Sequence, residues 1–195
     1  MTSTPSGMEE GLAAFRFDFD RFEQMFEQGI INQLGPRIEL LDGRIVEMAP
    51  GSDDHSKANA DLVYLIGAGL RGAGLHATLG VRTDGTLLID DYNAPEPDVF
   101  VVRNFSGRKY AQASDAVLVV EVSISTRAKD LRIKSPLYAR AGIPEFWMVE
   151  PEARLIRVFR DPRPDGSWGE EAVVAEGGVT PLFSDQVRVD LAELF

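Results

Sequence analysis

Two carboxylates and a lysine stand out in this chain of 195 residues: Asp98, Glu121 and Lys134. Asp98 follows Pro97 and opens the apolar run Val99-Phe100-Val101-Val102, while Glu121 ends the run Val117-Leu118-Val119-Val120. Continuous apolar runs of that length read as strands buried on both faces. An anion at the end of such a strand is costly to bury unless something positive compensates it. If the two strands are sheet neighbours, both acids converge on one point, where a divalent cation is the simplest partner. Two carboxylates give hard oxygen ligands to Mg²⁺ and leave coordination positions for water and phosphate. A cation held there neutralises charge on a phosphoryl group and lowers the pKa of an attacking water; a lysine alongside orients that water or stabilises developing charge. Metal-assisted phosphodiester hydrolysis is the chemistry that such parts suit.

Each residue alone has a plainer reading. Asp98 can cap a turn after Pro97, and Glu121 can sit in water just past a strand end. Lys134 can pair with Asp130 one helical turn earlier, a surface arrangement worth a few tenths of a kcal/mol. Against that, Leu131, Lys134 and Tyr138 share one helix face by their three- and four-residue steps, which aims the lysine across the sheet. The combination, in this order and on these elements, outweighs the separate readings.

The elements that must position these groups come from pattern. Asp18 caps a helix from Phe19 to Gln28 with Phe19, Phe22, Met25 and Phe26 on one stripe, and Gly29 stops it. Arg37 to Leu41 and Arg44 to Met48 flank Asp42-Gly43, a favoured two-residue hairpin turn. Ser52 or Asp53 caps a helix running to about Arg71, its stripe including Ala58, Leu62, Leu65 and Ile66. Leu75 to Arg82 and Thr86 to Ile89 read as strands around a turn at Asp84-Gly85. After the Asp98 strand, a polar segment from Asn104 to Ser114 leads to the Glu121 strand. Ser125 or Thr126 caps a helix extending to Arg140, ended by Gly142. Pro136 lies inside it, and proline is tolerated only in a first turn or at a kink, so the helix starts later or bends there. Glu145 to Glu150, Leu155 to Arg160 and Glu171 to Val174 are the later strands, and Val187 to Phe195 closes the chain. Residues 1 to 16 read as a disordered tail, and residues 17 to 195 as one mixed-sheet α/β domain.

Composition narrows the chemistry. The absence of cysteine excludes disulfides, thiolate zinc sites and a cysteine nucleophile. That only His55 and His76 are present argues against histidine-rich metal sites and nuclease motifs built on several histidines. The start lacks the basic flank and apolar stretch of a secretory signal, and no apolar run approaches the roughly 20 residues that span a bilayer. A cytoplasmic protein without membrane contact is expected. The net charge of −11 counts against nucleic-acid binding, which usually calls for a basic face. Arg103, Arg108 and Lys109, or Arg127, Lys129, Arg132 and Lys134, would have to form a local basic patch. Gly67 to Gly72 fits a dinucleotide-binding spacing, but the next segment, Leu75 to Arg82, looks extended rather than helical, so these glycines end a helix. No Walker-type loop and no nucleophile elbow occurs. Trp147 and Phe146 read as core; Tyr92, Phe105 and Tyr110 are the weaker substrate-stacking candidates.

Several separated motifs, in order, resemble one family. Ile38-Glu39-Leu40-Leu41-Asp42-Gly43-Arg44-Ile45-Val46-Glu47-Met48 is followed by Pro50 and His55, then Pro97-Asp98-Val99, then Leu118-Val119-Val120-Glu121-Val122-Ser123. Asp130-Leu131 with Lys134 and the stretch Tyr138 to Trp147 complete the set. The pattern resembles the Uma-two family of restriction-endonuclease-like proteins, within the PD-(D/E)XK nuclease superfamily, over about Phe17 to Phe195. The resemblance implies a restriction-endonuclease-like core: a mixed β-sheet flanked by helices, with an N-terminal helix and hairpin extension. It implies Asp98 as the motif aspartate and Glu121 as the motif glutamate, with the Val122 carbonyl as a further Mg²⁺ ligand and Mn²⁺ as a substitute ion. Ser123 stands where the motif lysine would be, and Lys134 supplies that charge from the next helix. Glu39 and His55 match further positions. Glu39 assists at the metal or pairs with a nearby arginine, and His55 assists or caps its helix. DNA is the implied substrate and a homodimer the implied assembly. The rival reading is a nuclease-fold protein that no longer cuts and acts as an interaction or regulatory module, favoured by the acidic charge and by Ser123.

Overall fold

The structure is a computed structural model that describes residues 14–31, 37–48, 51–104, 108–124 and 130–195, with the side chain of residue 130 excepted. Its N-terminal part consists of α1 (Phe19–Glu27), the hairpin β1 (Ile38–Leu41) and β2 (Arg44–Glu47), and the long α2 (Asp53–Gly72). Next come β3 (Leu79–Thr83), β4 (Leu87–Leu88), β5 (Val99–Arg103), β6 (Ala111–Gln112) and β7 (Ala116–Val122). A π-helical turn, Asp130–Lys134, runs into α3 (Ser135–Arg140). The chain then forms β8 (Glu145–Glu150), β9 (Leu155–Pro162), β10 (Trp168–Val174), β11 (Gly178–Val179), β12 (Val189–Asp190) and α4 (Leu191–Leu194). The first thirteen residues of the expected tail lie outside the described residues, as do Pro50, Phe105, Ser125, Thr126, Arg127 and Lys129.

Six strands form one mixed sheet in the order β10-β9-β8-β7-β5-β3. β7 and β8 run parallel through the crossover that carries α3, and the other pairs are antiparallel. All seven residues of β7 are buried, which is why its sequence is almost unbroken in apolar character. Alternation sends successive side chains to opposite faces. Val99, Val101, Val120, Val122 and Trp147 pack against Ala58, Leu62, Ile66 and Leu70 of α2. Phe100, Val119, Phe146 and Met148 pack on the other face against Tyr138, Ala139 and Ile143. A mixed sheet with helices on both faces matches the expected architecture, and Trp147 is wholly buried, as a core residue should be.

Local chemistry sets the element ends. Asp18 accepts a hydrogen bond from the Arg21 N–H, and Ser52 Oγ accepts one from the His55 N–H, so both expected caps are present. Asp42 and Gly43 both have positive φ, the backbone that a two-residue hairpin of native twist demands. The glycines of α2 are helical, not a phosphate loop. A Cβ on Gly69 would lie 2.9 Å from Val187 Cγ1, so that residue lets the C-terminal segment approach the helix.

Two expectations are corrected. Leu75–Ala77 is a 3-10 turn, and β3 and β4 do not pair as a hairpin: β3 pairs antiparallel with β5, and β4 parallel with β6. Tertiary burial decides this, since Leu79 and Val81 pack on the α2 side of the sheet while Leu87 joins the α3-side core. The helix expected up to Arg140 is, within the described residues, a π turn followed by six α-helical residues. Pro136 sits in the first turn of α3, directly after the π turn, where a proline is tolerated.

Candidate active site

β5 and β7 are direct neighbours, with Val99 opposite Val120, so the acids that flank this pair emerge at the same end of the sheet. Asp98 Oδ2 accepts a hydrogen bond from the Val122 N–H at 2.8 Å, which ties the first acid to the residue after the second. Its backbone carbonyl accepts from Thr83 Oγ1 at 2.9 Å, fixing the chain before β5. From the N-terminal turn of α2, His55 places Nε2 3.2 Å from Asp98 Oδ1. Burial pushes the Asp98 carboxyl up, but the His55 hydrogen bond and charge, the Val122 N–H and the Lys134 charge outweigh it, and the group stays below its usual value.

Glu121 points to the α3 side. Its Oε1 accepts a hydrogen bond from the Tyr138 hydroxyl at 2.6 Å and lies 3.0 Å from Lys134 Nζ. Lys134 is 1% exposed and also lies 3.2 Å from Glu39 Oε2. Glu39 therefore meets a lysine where an arginine was the alternative. It reaches the site because the hairpin is stitched to the loop before Asp98. Leu40 and Ala94 exchange backbone hydrogen bonds, the Gly43 N–H donates to the Tyr92 carbonyl, and the Asp42 N–H donates to Asn93 Oδ1.

Two clusters thus meet at this end of the sheet, Glu121 with Lys134 and Glu39, and Asp98 with the partly buried His55, joined through the bond of Asp98 to the Val122 N–H. Ser123 is buried too, 4% exposed, and its Oγ has no hydrogen-bond partner among the described residues. Sequence reasoning misses two members. Tyr138 is visible as a helix-face neighbour of Lys134 but counts there as apolar, whereas its hydroxyl orients Glu121. Glu96, whose N–H donates to Glu39 Oε2, carries a half-buried carboxyl. Burial raises that carboxyl, helped by the nearby Glu39 and Asp84 charges and opposed by Arg37 and Lys134.

The donor set fits a hard divalent cation. Among the described residues, Lys134 meets the carboxylates of Glu121 and Glu39 and His55 meets that of Asp98, so three buried carboxylates face one ammonium and one imidazole. Excess buried anionic charge calls for a proton, a charged histidine or a cation. Among the described residues, no three His, Cys, Asp or Glu side chains converge in a metal-holding group. Mg²⁺ commonly takes only one or two carboxylates and keeps several waters.

The proposed surface patches fare differently. Arg108 pairs with Asp115 and Lys109 with Glu23 and Glu27, so acidic partners engage two of that cluster, while Arg103 donates to the Ser114 carbonyl. Lys134 is core, not surface. Tyr110 packs edge-on against Phe19, and Tyr92 lies under Arg16. No helix among the described residues is long and apolar enough to cross a membrane.

Comparison with known proteins gives a family and a fold. The sequence model of the Uma2 family, described as "Putative restriction endonuclease", matches residues 19–191. No curated protein matches. A crystal structure of a putative nuclease belonging to DUF820 from Anabaena variabilis ATCC 29413 superposes with a TM-score of 0.63 at 15% identity. The alignment covers 82% of this chain and 90% of that one. The type IIG restriction endonuclease BpuSI aligns at 19% identity over 62% of this chain and 13% of its own, with a TM-score of 0.39.

Proposed function

As the chain belongs to the Uma2 family, we propose that it is an endonuclease that hydrolyses DNA phosphodiester bonds at the Asp98–Glu121 centre. The observation that carries this reading is that Asp98, held by His55 and the Val122 N–H, meets the end of the neighbouring strand whose Glu121 faces the buried Lys134. Asp98, Glu121 and the Val122 carbonyl would hold Mg²⁺, or Mn²⁺ in its place. Bound there, the ion supplies charge neutralisation at the phosphoryl oxygens and a water of lowered pKa.

The chain's own side chains do the remaining work. His55 and the Val122 N–H hold Asp98 ionised and oriented. Tyr138 and Lys134 fix Glu121, and Glu39 keeps Lys134 from swinging away. The Lys134 ammonium stabilises negative charge as it grows on the phosphoryl group, in a setting where water screens it little. Residues 17 to 195 act as one nuclease domain in the cytoplasm, and a homodimer presents two such centres, one for each DNA strand.

Calorimetric titration with Mn²⁺ tests the site. One saturable site in the wild type, lost in Asp98→Asn, is the expected result. No binding at millimolar metal overturns it and favours a nuclease-fold protein that no longer cuts, the reading that the net charge of −11 and Ser123 support.

A further inference from the structure

Ser123 occupies a costly place. Its N–H donates to the Val149 carbonyl at 2.8 Å, so the β7–β8 ladder runs one residue past the end of β7. Val120 and Val122 belong to the α2-side core and Val119 to the α3-side core. Continued by one step, that alternation brings Ser123 round to the side of Glu121. Its hydroxyl is buried and has no hydrogen-bond partner among the described residues. A desolvated hydroxyl without a partner destabilises the resting fold, and alanine would fill nearly the same space without that cost. The hydroxyl therefore calls for a partner that the described residues do not supply.

We infer that Ser123 is a positioning residue whose Oγ accepts a hydrogen bond from the water that attacks phosphorus beside Glu121. The inference rests on the nuclease reading above and deepens it. A hydroxyl accepts as well as donates, whereas an ammonium only donates, so Ser123 can hold a water by its hydrogen in a way that Lys134 cannot. The two tasks of a motif lysine are then divided: Lys134 brings the charge, and Ser123 aims the water. In the step it serves, the water oxygen bonds to phosphorus and the bond from phosphorus to the leaving sugar oxygen breaks. One water proton passes to solvent, and the leaving oxygen takes one up.

Ser123→Ala and Ser123→Thr test this in the full chain. Without metal, the alanine variant melts at or above the wild-type temperature; a fall of several degrees would show a structural role and overturn the inference. With Mg²⁺ and plasmid DNA, the alanine variant loses kcat by about tenfold or more with KM unchanged, the equivalent of one hydrogen bond lost from the transition state. The threonine variant, which keeps the hydroxyl, recovers most of that loss. Unchanged kcat in the alanine variant overturns the inference while leaving the nuclease reading intact. If the wild type cuts no DNA, the nuclease reading itself has failed and the inference falls with it; where it cuts, a crystal structure soaked in Mn²⁺ checks the serine a second way. A water within hydrogen-bond distance of Ser123 Oγ and Glu121 supports the inference; an Oγ without one ends it.

Discussion

The Lys134 ammonium lies 3.0 Å from Glu121 Oε1 at a point where both side chains are almost fully buried. Glu39 Oε2 is 3.2 Å away on the other side, so one positive charge separates two carboxylates in a low-dielectric interior. Removing it takes from both anions the buried cation that lies between them. Lys134→Met should lower unfolding free energy by about 3 kcal/mol, read by urea titration, since breaking a buried pair costs far more than an exposed one. A loss under about 1 kcal/mol, the level of surface pairs, would mean that the three groups are not held as a charged network.

Asp98 gives a pH dependence of definite sign. Its carboxyl sits below its ordinary value in the folded chain, so it adds stability that is full above about pH 4 and is lost as pH falls through the folded value. The stability gap between wild type and Asp98→Asn is therefore widest near neutrality and closes in acid. His55→Ala removes the main opposition to desolvation, and the Asp98 carboxyl then rises, which carbon-detected NMR titration reads directly. A gap independent of pH would contradict both statements.

Glu96 has the opposite sign. Burial first, then the neighbouring Glu39 and Asp84 charges, raise its carboxyl, so its ionised form is a burden on the folded state above the unfolded value of about 4.3. Glu96→Gln is expected to stabilise the protein at pH 7, with the gain fading as pH falls below that value. Thermal melts across pH 3 to 8 measure it, and a destabilised variant at neutral pH would refute the assignment.

Tyr138 donates to the same Glu121 oxygen that Lys134 approaches. Tyr138→Phe keeps the ring, which packs 5.4 Å from Phe146, and removes only the hydroxyl. The expected loss is about 1–3 kcal/mol in stability, as for a hydrogen bond to a charged buried group. Cleavage should fall as well, because Glu121 is then fixed by one donor fewer. Unaltered stability and rate together would remove Tyr138 from the network.

Much of this was legible in the chain because the deciding forces are local. Caps at Asp18 and Ser52, the Asp42-Gly43 turn and the apolar run of β7 each carry their own instruction, and the structure follows them. The adjacency of β5 and β7, and with it the meeting of Asp98 with the strand of Glu121, was suggested by two buried runs flanked by acids. What escaped was set by tertiary contact. Strands β3 and β4 are short, and their partners lie elsewhere in the chain, so turn residues at Asp84-Gly85 suggested a pairing that burial overrules. Glu39 reaches Lys134 only because Leu40 docks on Ala94, a link that no periodicity encodes. The Tyr138 hydroxyl was hidden inside an apolar helix face, where its ring met the pattern and its oxygen made none.

Conversion of supercoiled plasmid to nicked and linear forms, monitored with Mg²⁺ for the wild type and for Asp98→Asn and Glu121→Gln, tests the central claim most directly. The expected result is cleavage that stops on chelation and is lost in both variants while each keeps its fold by circular dichroism. Cleavage that persists undiminished in either folded variant would contradict the claim that these two carboxylates do the chemistry.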